Sequence, residues 1–255
     1  DGKIDRIREN QKNHNYLNIL REEGKPGLVL FSSGTTGKPK AILHDFTAFL
    51  KRFENPRPTL KTLNFLLFDH IGGLNTLFHT IFNRGHVVAT KDRNVENILS
   101  ICAEYKIELL PTTPTFLRLL LLSGYIPDKV PESLKIITYG TERMDQSTLS
   151  ELCKLLPKVD FRQTFGMSEL GIMRVKSKAR DSLFMQIGGE GTETKIRENV
   201  LYIKNKNKMI GYLNAPSPFN KDGWYNTKDI VESDGTFIRV IGRDSEVINV
   251  GGQKF

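Results

Sequence analysis

From Leu28 to about Gly166, short apolar runs alternate with stretches of helical period, and no other feature constrains the fold of this chain as much. The runs Leu28–Ser32, Leu63–Phe68, Val87–Thr90, Ile107–Leu110, Lys135–Tyr139 and Asp160–Gln163 read as strands. Between them lie helices with recognisable starts: Asn94 before Val95–Tyr105, Pro114 in the first turn of a helix to about Leu122, and Asp145 before one ending near Leu156. Strands separated by helices predict an α/β fold with a mostly parallel sheet flanked by helices. After Gly171 the helical period fades. Short runs appear at Leu183–Ile187, Val200–Lys204, Met209–Leu213, Ile230–Glu232 and Thr236–Ile241, punctuated by Glu198-Asn199, Asp222-Gly223 and Asp234-Gly235 as in antiparallel hairpins. The expected organisation is an α/β core over residues 1–180, a β-rich subdomain over 181–242 and a terminal segment over 243–255.

The composition, 38% hydrophobic and 26% charged, excludes collagen, coiled-coil and low-complexity chains. The longest apolar runs, such as Leu119–Leu122, are far too short to span a bilayer, so no membrane span is expected. Asp1–Gln11 is too polar for a secretory signal, and a cytoplasmic chain is the expectation. Cys102 and Cys153 lack metal or redox spacing and read as buried thiols. The net charge is +8, and Arg162–Met209, with ten basic and five acidic residues, carries much of it. No aromatic residues interleave with its densest part, Arg174 to Arg180, so a solvated loop is favoured over a nucleic-acid patch.

The segment with the most chemistry is Leu28–Lys40, LVLFSSGTTGKPK. Gly34 and Gly37 let backbone N–H groups face an anion, the hydroxyls of Ser32, Ser33, Thr35 and Thr36 add donors, and Lys38 and Lys40 add positive charge. Such a loop suits a polyphosphate. It is not a Walker loop, because Pro39 follows Lys38 where Ser or Thr would reach magnesium.

SSGTTGKPK resembles the phosphate loop of the adenylate-forming superfamily of acyl-CoA synthetases, nonribosomal peptide synthetase adenylation domains and luciferases. Further segments follow in that family's order. Phe68–Gly73 resembles its acyl-pocket segment, Tyr139-Gly140-Thr141-Glu142 its adenine-side turn, and Thr164–Glu169 its aromatic-Gly-x-Thr-Glu motif. Gly223–Asp229 resembles the stretch ending in Thr-Gly-Asp, and Gly242–Glu246 the hinge to a C-terminal lid. The similarity runs from Leu28 to Phe255. Departures are Ala41 and Lys228 where glycine is usual, Ser168 where threonine is usual, and Asn249 where many relatives have lysine. Gly211–Asn214 also resembles a family segment and reads as scaffold.

The resemblance implies ATP and Mg²⁺ as cofactors, a small carboxylic acid as substrate, and coenzyme A or the phosphopantetheine of an acyl or peptidyl carrier protein as acceptor. Glu169 and Thr36 would then hold the metal. The loop from Ser32 to Lys40 would hold phosphates; Gly140, Thr141, Glu142, Thr164, Phe165, Gly166 and Ser168 would surround the adenine; Asp229 and Arg243 would bind the ribose. His70 would face the acid's carboxylate, while Asp69 resembles the aspartate that amino-acid-activating domains use, so the acid class stays open between them. The family's lid and its adenylation lysine lie past the hinge, which this sequence reaches at its end. The leading expectation is formation of an acyl adenylate with release of pyrophosphate. Its alternative is a non-catalytic ATP/AMP-binding module, with a nucleic-acid binder a distant third.

Overall fold

The computed structural model describes residues 14–32, 38–243, 249–250 and 253–254. Helix α1 (Asn15–Glu22) leads into strands β1 (Gly27–Ser32) and β2 (Lys40–Asp45), then α2 (Phe46–Lys51), whose first turn is closed by the Asp45 carboxylate accepting from Ala48 N–H. Strands and helices then alternate: β3 (Thr62–Asn64), α3 (Ile71–Phe82), β4 (Val87–Ala89), α4 (Val95–Glu104), β5 (Leu109–Thr112), α5 (Pro114–Leu122), β6 (Ile136–Tyr139), α6 (Gln146–Leu155) and β7 (Asp160–Gln163). All further elements are strands: β8 (Phe165–Met167), β9 (Gly171–Ser177), β10 (Met185–Gly188), β11 (Thr192–Arg197), β12 (Val200–Asn205), β13 (Gly211–Tyr212), β14 (Tyr225–Asp234), β15 (Phe237–Arg243), β16 (Asn249–Val250) and β17 (Gln253–Lys254).

The fold class agrees with the sequence reading. Five parallel strands in the order β4-β3-β5-β6-β7 form one sheet, and seven antiparallel strands in the order β11-β12-β14-β15-β10-β9-β8 form another. The helix starts also agree, for physical reasons visible in the side chains. Asn94 accepts from Asn97 N–H, Thr113 from Phe116 N–H just ahead of Pro114, and Asp145 from Thr148 N–H. Each satisfies a first-turn donor that the helix cannot satisfy itself. Leu63, Ile98, Ile107, Leu110, Leu117, Leu120 and Ile137 are essentially inaccessible between the parallel sheet and its helices. Burying one such side chain contributes about 1.5–3 kcal/mol.

Two strands belong elsewhere than the alternation suggests. Leu28–Ser32 is not part of the parallel sheet: β1 pairs antiparallel with β2, from Gly27 opposite Asp45 to Ser32 opposite Lys40. A connection as short as 33–39 can join only antiparallel neighbours, since a parallel pairing needs a crossover. Met209–Leu213 likewise leaves the β-rich part, because Gly211 and Tyr212 pair with Leu43 and Ile42 of β2 and complete a three-stranded sheet. The Leu63–Phe68 run keeps strand structure only to Asn64. The large antiparallel sheet begins at Phe165, ahead of residue 180. Among the described residues no helix is long and apolar enough to cross a membrane.

Candidate functional site

Where the parallel sheet ends and the antiparallel sheet begins, a cavity of about 310 Å³ opens. The β6–α6 loop supplies Thr141 and Glu142, the β7–β8 junction supplies Gln163 to Met167, and β14 and β15 supply Asp229, Gly242 and Arg243. Residues more than a hundred positions apart in sequence, and expected to surround one nucleotide, therefore share one cavity.

Local structure explains each placement. On β12 two positions separate Tyr202 from Val200, yet on β14 four separate their partners Asn226 and Ile230, so β14 bulges there. At the bulge Lys228 has φ +60°, a left-handed conformation that glycine adopts without steric cost and a long side chain does not. A bulge re-aims its side chains. Asp229 is buried at the cavity wall, where its Oδ1 accepts from Arg243 Nε at 2.9 Å; its own N–H donates to Thr227 Oγ1. The two residues face each other across the β14–β15 pair.

Gly140 follows β6, and a Cβ there would stand 2.1 Å from Thr164 Oγ1. Thr164 occupies that space while donating its N–H and Oγ1 to Tyr139 O, which ties the end of β6 to the start of β8. Glu142 lines the cavity and also accepts from the N–H and Oγ1 of Thr115 at the start of α5. Phe165 presents a half-buried ring, packed against the core of the antiparallel sheet.

Glu169 sits in the turn between β8 and β9, buried. Its Oε1 accepts from Tyr212 Oη at 2.7 Å. Burial, and after it the charge of Glu169, push the phenols of Tyr212 and Tyr225 well above the ordinary range, so both stay protonated. Lys40 Nζ lies 5.1 Å above the Tyr212 ring. The last lysine of the Leu28–Lys40 segment and the buried carboxylate thus meet on one tyrosine. The preceding residue is held as well: His44 Nε2–H donates to Ser168 O at 2.7 Å. Burial is the main cause that pushes His44 down to about 4, and it is neutral at neutral pH.

Ser32 ends β1 opposite Lys40, and Lys38 is exposed. Ser33, Gly34, Thr35, Thr36 and Gly37 lie outside the described residues. The loop's far side is clamped by Asn214, which donates to Pro39 O and accepts from Ala41 N–H, both at 2.8 Å. His70 precedes α3 without capping it and lies 3.9 Å from Asp69 Oδ1, both side chains exposed; neither lines the cavity.

The sequence reading passed over four residues of this arrangement. Tyr212 and Asn214 lie in the segment taken as scaffold, and only the pairing of β13 with β2 shows what they hold. His44 sits in a short run not read as a strand. Gln163 lines the cavity with its Oε1 buried and without a hydrogen-bond partner among the described residues. Its position next to Thr164 was the available signal.

No group of three or more His, Cys, Asp or Glu side chains that could by itself hold a metal occurs among the described residues. A lone buried carboxylate nevertheless fits Mg²⁺, which takes one or two carboxylates and draws its other oxygens from phosphates and water.

Comparison with known proteins places this geometry. The 2-succinylbenzoate–CoA ligase of Staphylococcus epidermidis is 25% identical over 245 residues, covering 88% of this chain and 51% of that protein. A medium/long-chain-fatty-acid–(acyl-carrier-protein) ligase of Mycobacterium tuberculosis is 27% identical over 273 residues, covering 89% and 48%. The chain spans about half the length of the curated relatives it matches. Among solved structures, o-succinylbenzoate CoA synthetase of Bacillus subtilis, in complex with an acyl-adenylate intermediate, superposes with a TM-score of 0.68 at 22% identity over 89% of this chain and 51% of that one. The family model described as AMP-binding enzyme matches residues 6–210, and the chain belongs to that family.

Proposed function

We propose that this chain forms the nucleotide- and acid-binding core of an enzyme that activates a carboxylic acid with ATP. The carboxylate oxygen attacks the α-phosphorus, the bond from that phosphorus to the bridging oxygen breaks, and pyrophosphate leaves with the electron pair. The sulfur of a thiol, of coenzyme A or of a carrier protein, then attacks the acyl carbon; the C–S bond forms as the acyl C–O bond breaks, AMP leaves with the electron pair, and the thiol proton is lost to solvent. The relatives named above as CoA and acyl-carrier-protein ligases support that second step. The observation that carries the proposal is the meeting of Thr141, Thr164, Phe165, Asp229 and Arg243 in one cavity, with Glu169 and Lys40 joined through Tyr212.

In this reading Phe165 offers a face to the adenine and Gln163 Oε1 takes the 6-amino group, a donor that would satisfy its orphaned oxygen. Asp229, fixed by Arg243, accepts from the ribose hydroxyls. Gly140, Thr141, Glu142, Thr164, Gly166 and Ser168 frame the base and sugar. The loop from Ser32 to Lys40, with Ser33, Gly34, Thr35, Thr36, Gly37 and Lys38, binds the β- and γ-phosphates through N–H groups, hydroxyls and ammonium groups. Mg²⁺, when bound, neutralises phosphate charge as the leaving group departs; Glu169 and Thr36 would hold it. Tyr212 keeps Glu169 oriented. His70 would contact the acid. We assign residues 1–180 to the binding core, 181–242 to its β-rich wall and 243–255 to a hinge. A cytoplasmic location belongs to the same reading, supported by two buried free thiols, Cys102 and Cys153.

The test is acid-dependent exchange of pyrophosphate into ATP, with fatty, aryl and amino acids, for the wild-type chain, its longest natural form and Glu169→Ala in each. One acid class should drive exchange, and Glu169→Ala should lower it by about 10²-fold. Exchange unchanged by Glu169→Ala would remove Glu169 from the site.

A further inference from the structure

The hairpin whose β8 strand lines the nucleotide cavity lends its other strand to a second, larger cavity of about 690 Å³, walled by Leu170 and by Ile172 to Val175. Five cationic side chains line it, Lys51, Arg52, Arg57, Arg174 and Lys206, against the single carboxylate Glu190. Lys206 and Glu190 pair with each other at 2.6 Å. The remaining four cations have no carboxylate within 4.0 Å among the described residues. Like charges gathered in a concave site repel one another in the free protein and attract an anion that enters it.

Arg52 is the most telling of the four. Its guanidinium lies 4.6 Å over the Phe49 ring, one amine reaches only Asn207 O at 3.5 Å, and Nε is buried with no hydrogen-bond partner. A flat five-donor group held in place with a donor left over suits a carboxylate or a phosphate, which takes two of its N–H groups at once. Arg57 and Arg174 stand exposed at the rim. Phe53, Leu170 and Met173 supply a buried apolar surface beside them. The volume is that of a site for a small organic molecule.

We propose that this cavity binds an organic anion, whose apolar body rests on Phe53, Leu170 and Met173 and whose carboxylate or phosphate is taken by Arg52, Arg57 and Arg174. Two sources have this chemistry. One is a substrate acid that carries a second carboxylate far from the reacting one. The other is the phosphate of a nucleotide-bearing thiol acceptor. The choice of these two sources rests on the proposed function, while the anion site itself does not: its readout is binding and its variants lie in the second cavity, so the two readings fail separately.

The experiment is calorimetric titration of the full chain with three probes: suberate, octanoate of the same carbon number, and adenosine 3′,5′-bisphosphate. Each is repeated with Arg57→Gln/Arg174→Gln, and with Arg52→Gln where that variant folds. Suberate or the bisphosphate should bind at least tenfold more tightly than octanoate and weaken as salt rises. The double variant should lose at least tenfold for that probe while its melting temperature stays that of wild type. The probe that shows the loss names the source. Equal binding of all three probes, or a double variant within twofold of wild type for both anions, would overturn the proposal.

Discussion

The two cavities that share the β8–β9 hairpin treat charge in opposite ways. In the cavity proposed for the nucleotide the charged groups are already engaged: Arg243 with Asp229, Glu142 with Thr115, Arg143 with Ile241 O, and Arg239 with Glu232. In the second cavity Glu190 pairs with Lys206, and the other four cations have no carboxylate within 4.0 Å among the described residues. A paired site is organised before its ligand arrives and loses little order on binding. An unpaired one stores repulsion that only an anion relieves. The difference teaches where each cavity's affinity comes from, fixed geometry in the first and net charge in the second.

Removing Asp229 breaks the first pattern most severely. Asp229→Ala deletes the buried acceptor and leaves Arg243 without this partner, so AMP affinity measured by calorimetry should fall about a hundredfold, equivalent to about 2.7 kcal/mol. Acid attacks the neighbouring scaffold through His44. Its pKa is about 4 in the folded chain, against about 6.5 unfolded, so between those values the unfolded state takes up the proton and stability falls with pH. Urea unfolding at pH 5 should show about 2 kcal/mol less stability from this group than at pH 7, a difference absent in His44→Gln.

Tyr212→Phe should cost about 1.5 kcal/mol in urea unfolding, the net worth of a hydrogen bond to a charged group, and should raise the Mg²⁺ concentration needed for half-maximal ATP binding. Lys228→Gly relieves the left-handed strain beside Asp229 and should raise the unfolding free energy by about 1 kcal/mol without weakening AMP. On the other side of the hairpin, Arg174→Gln removes an exposed charge with no carboxylate within 4.0 Å among the described residues, and stability should change by less than about 0.5 kcal/mol. A large loss there would mean that the second cavity is as internally paired as the first.

Much of the fold was legible because it rests on local chemistry. The caps at Asn94 and Asp145, Pro114 in the first turn of α5, and the apolar period behind them placed α4, α5 and α6 nearly to the residue. Sheet membership was not legible, since β1 and β13 read like any apolar run and only long-range pairing with β2 decides their sheet. The motif residues around Phe165 and Asp229 were visible through their resemblance to a family pattern. The bulge that turns Asp229 was not legible: Lys228 reads only as a departure from the glycine of the resembled motif, and its left-handed backbone shows in the fold alone. Tyr212 lies in a segment that reads as scaffold, and His44 and the second cavity carried no motif. They emerge where β2, β13 and the β8–β9 turn meet, or from arginines distant in sequence, and a linear pattern does not register either.

Photolabelling with 2-azido-ATP, followed by mapping of the modified peptides, tests the central claim most directly. The account predicts label within residues 139–144 or 163–167, protected by AMP and not by suberate. Label confined to other segments, or label at residues 139–144 and 163–167 that AMP does not displace, would contradict it.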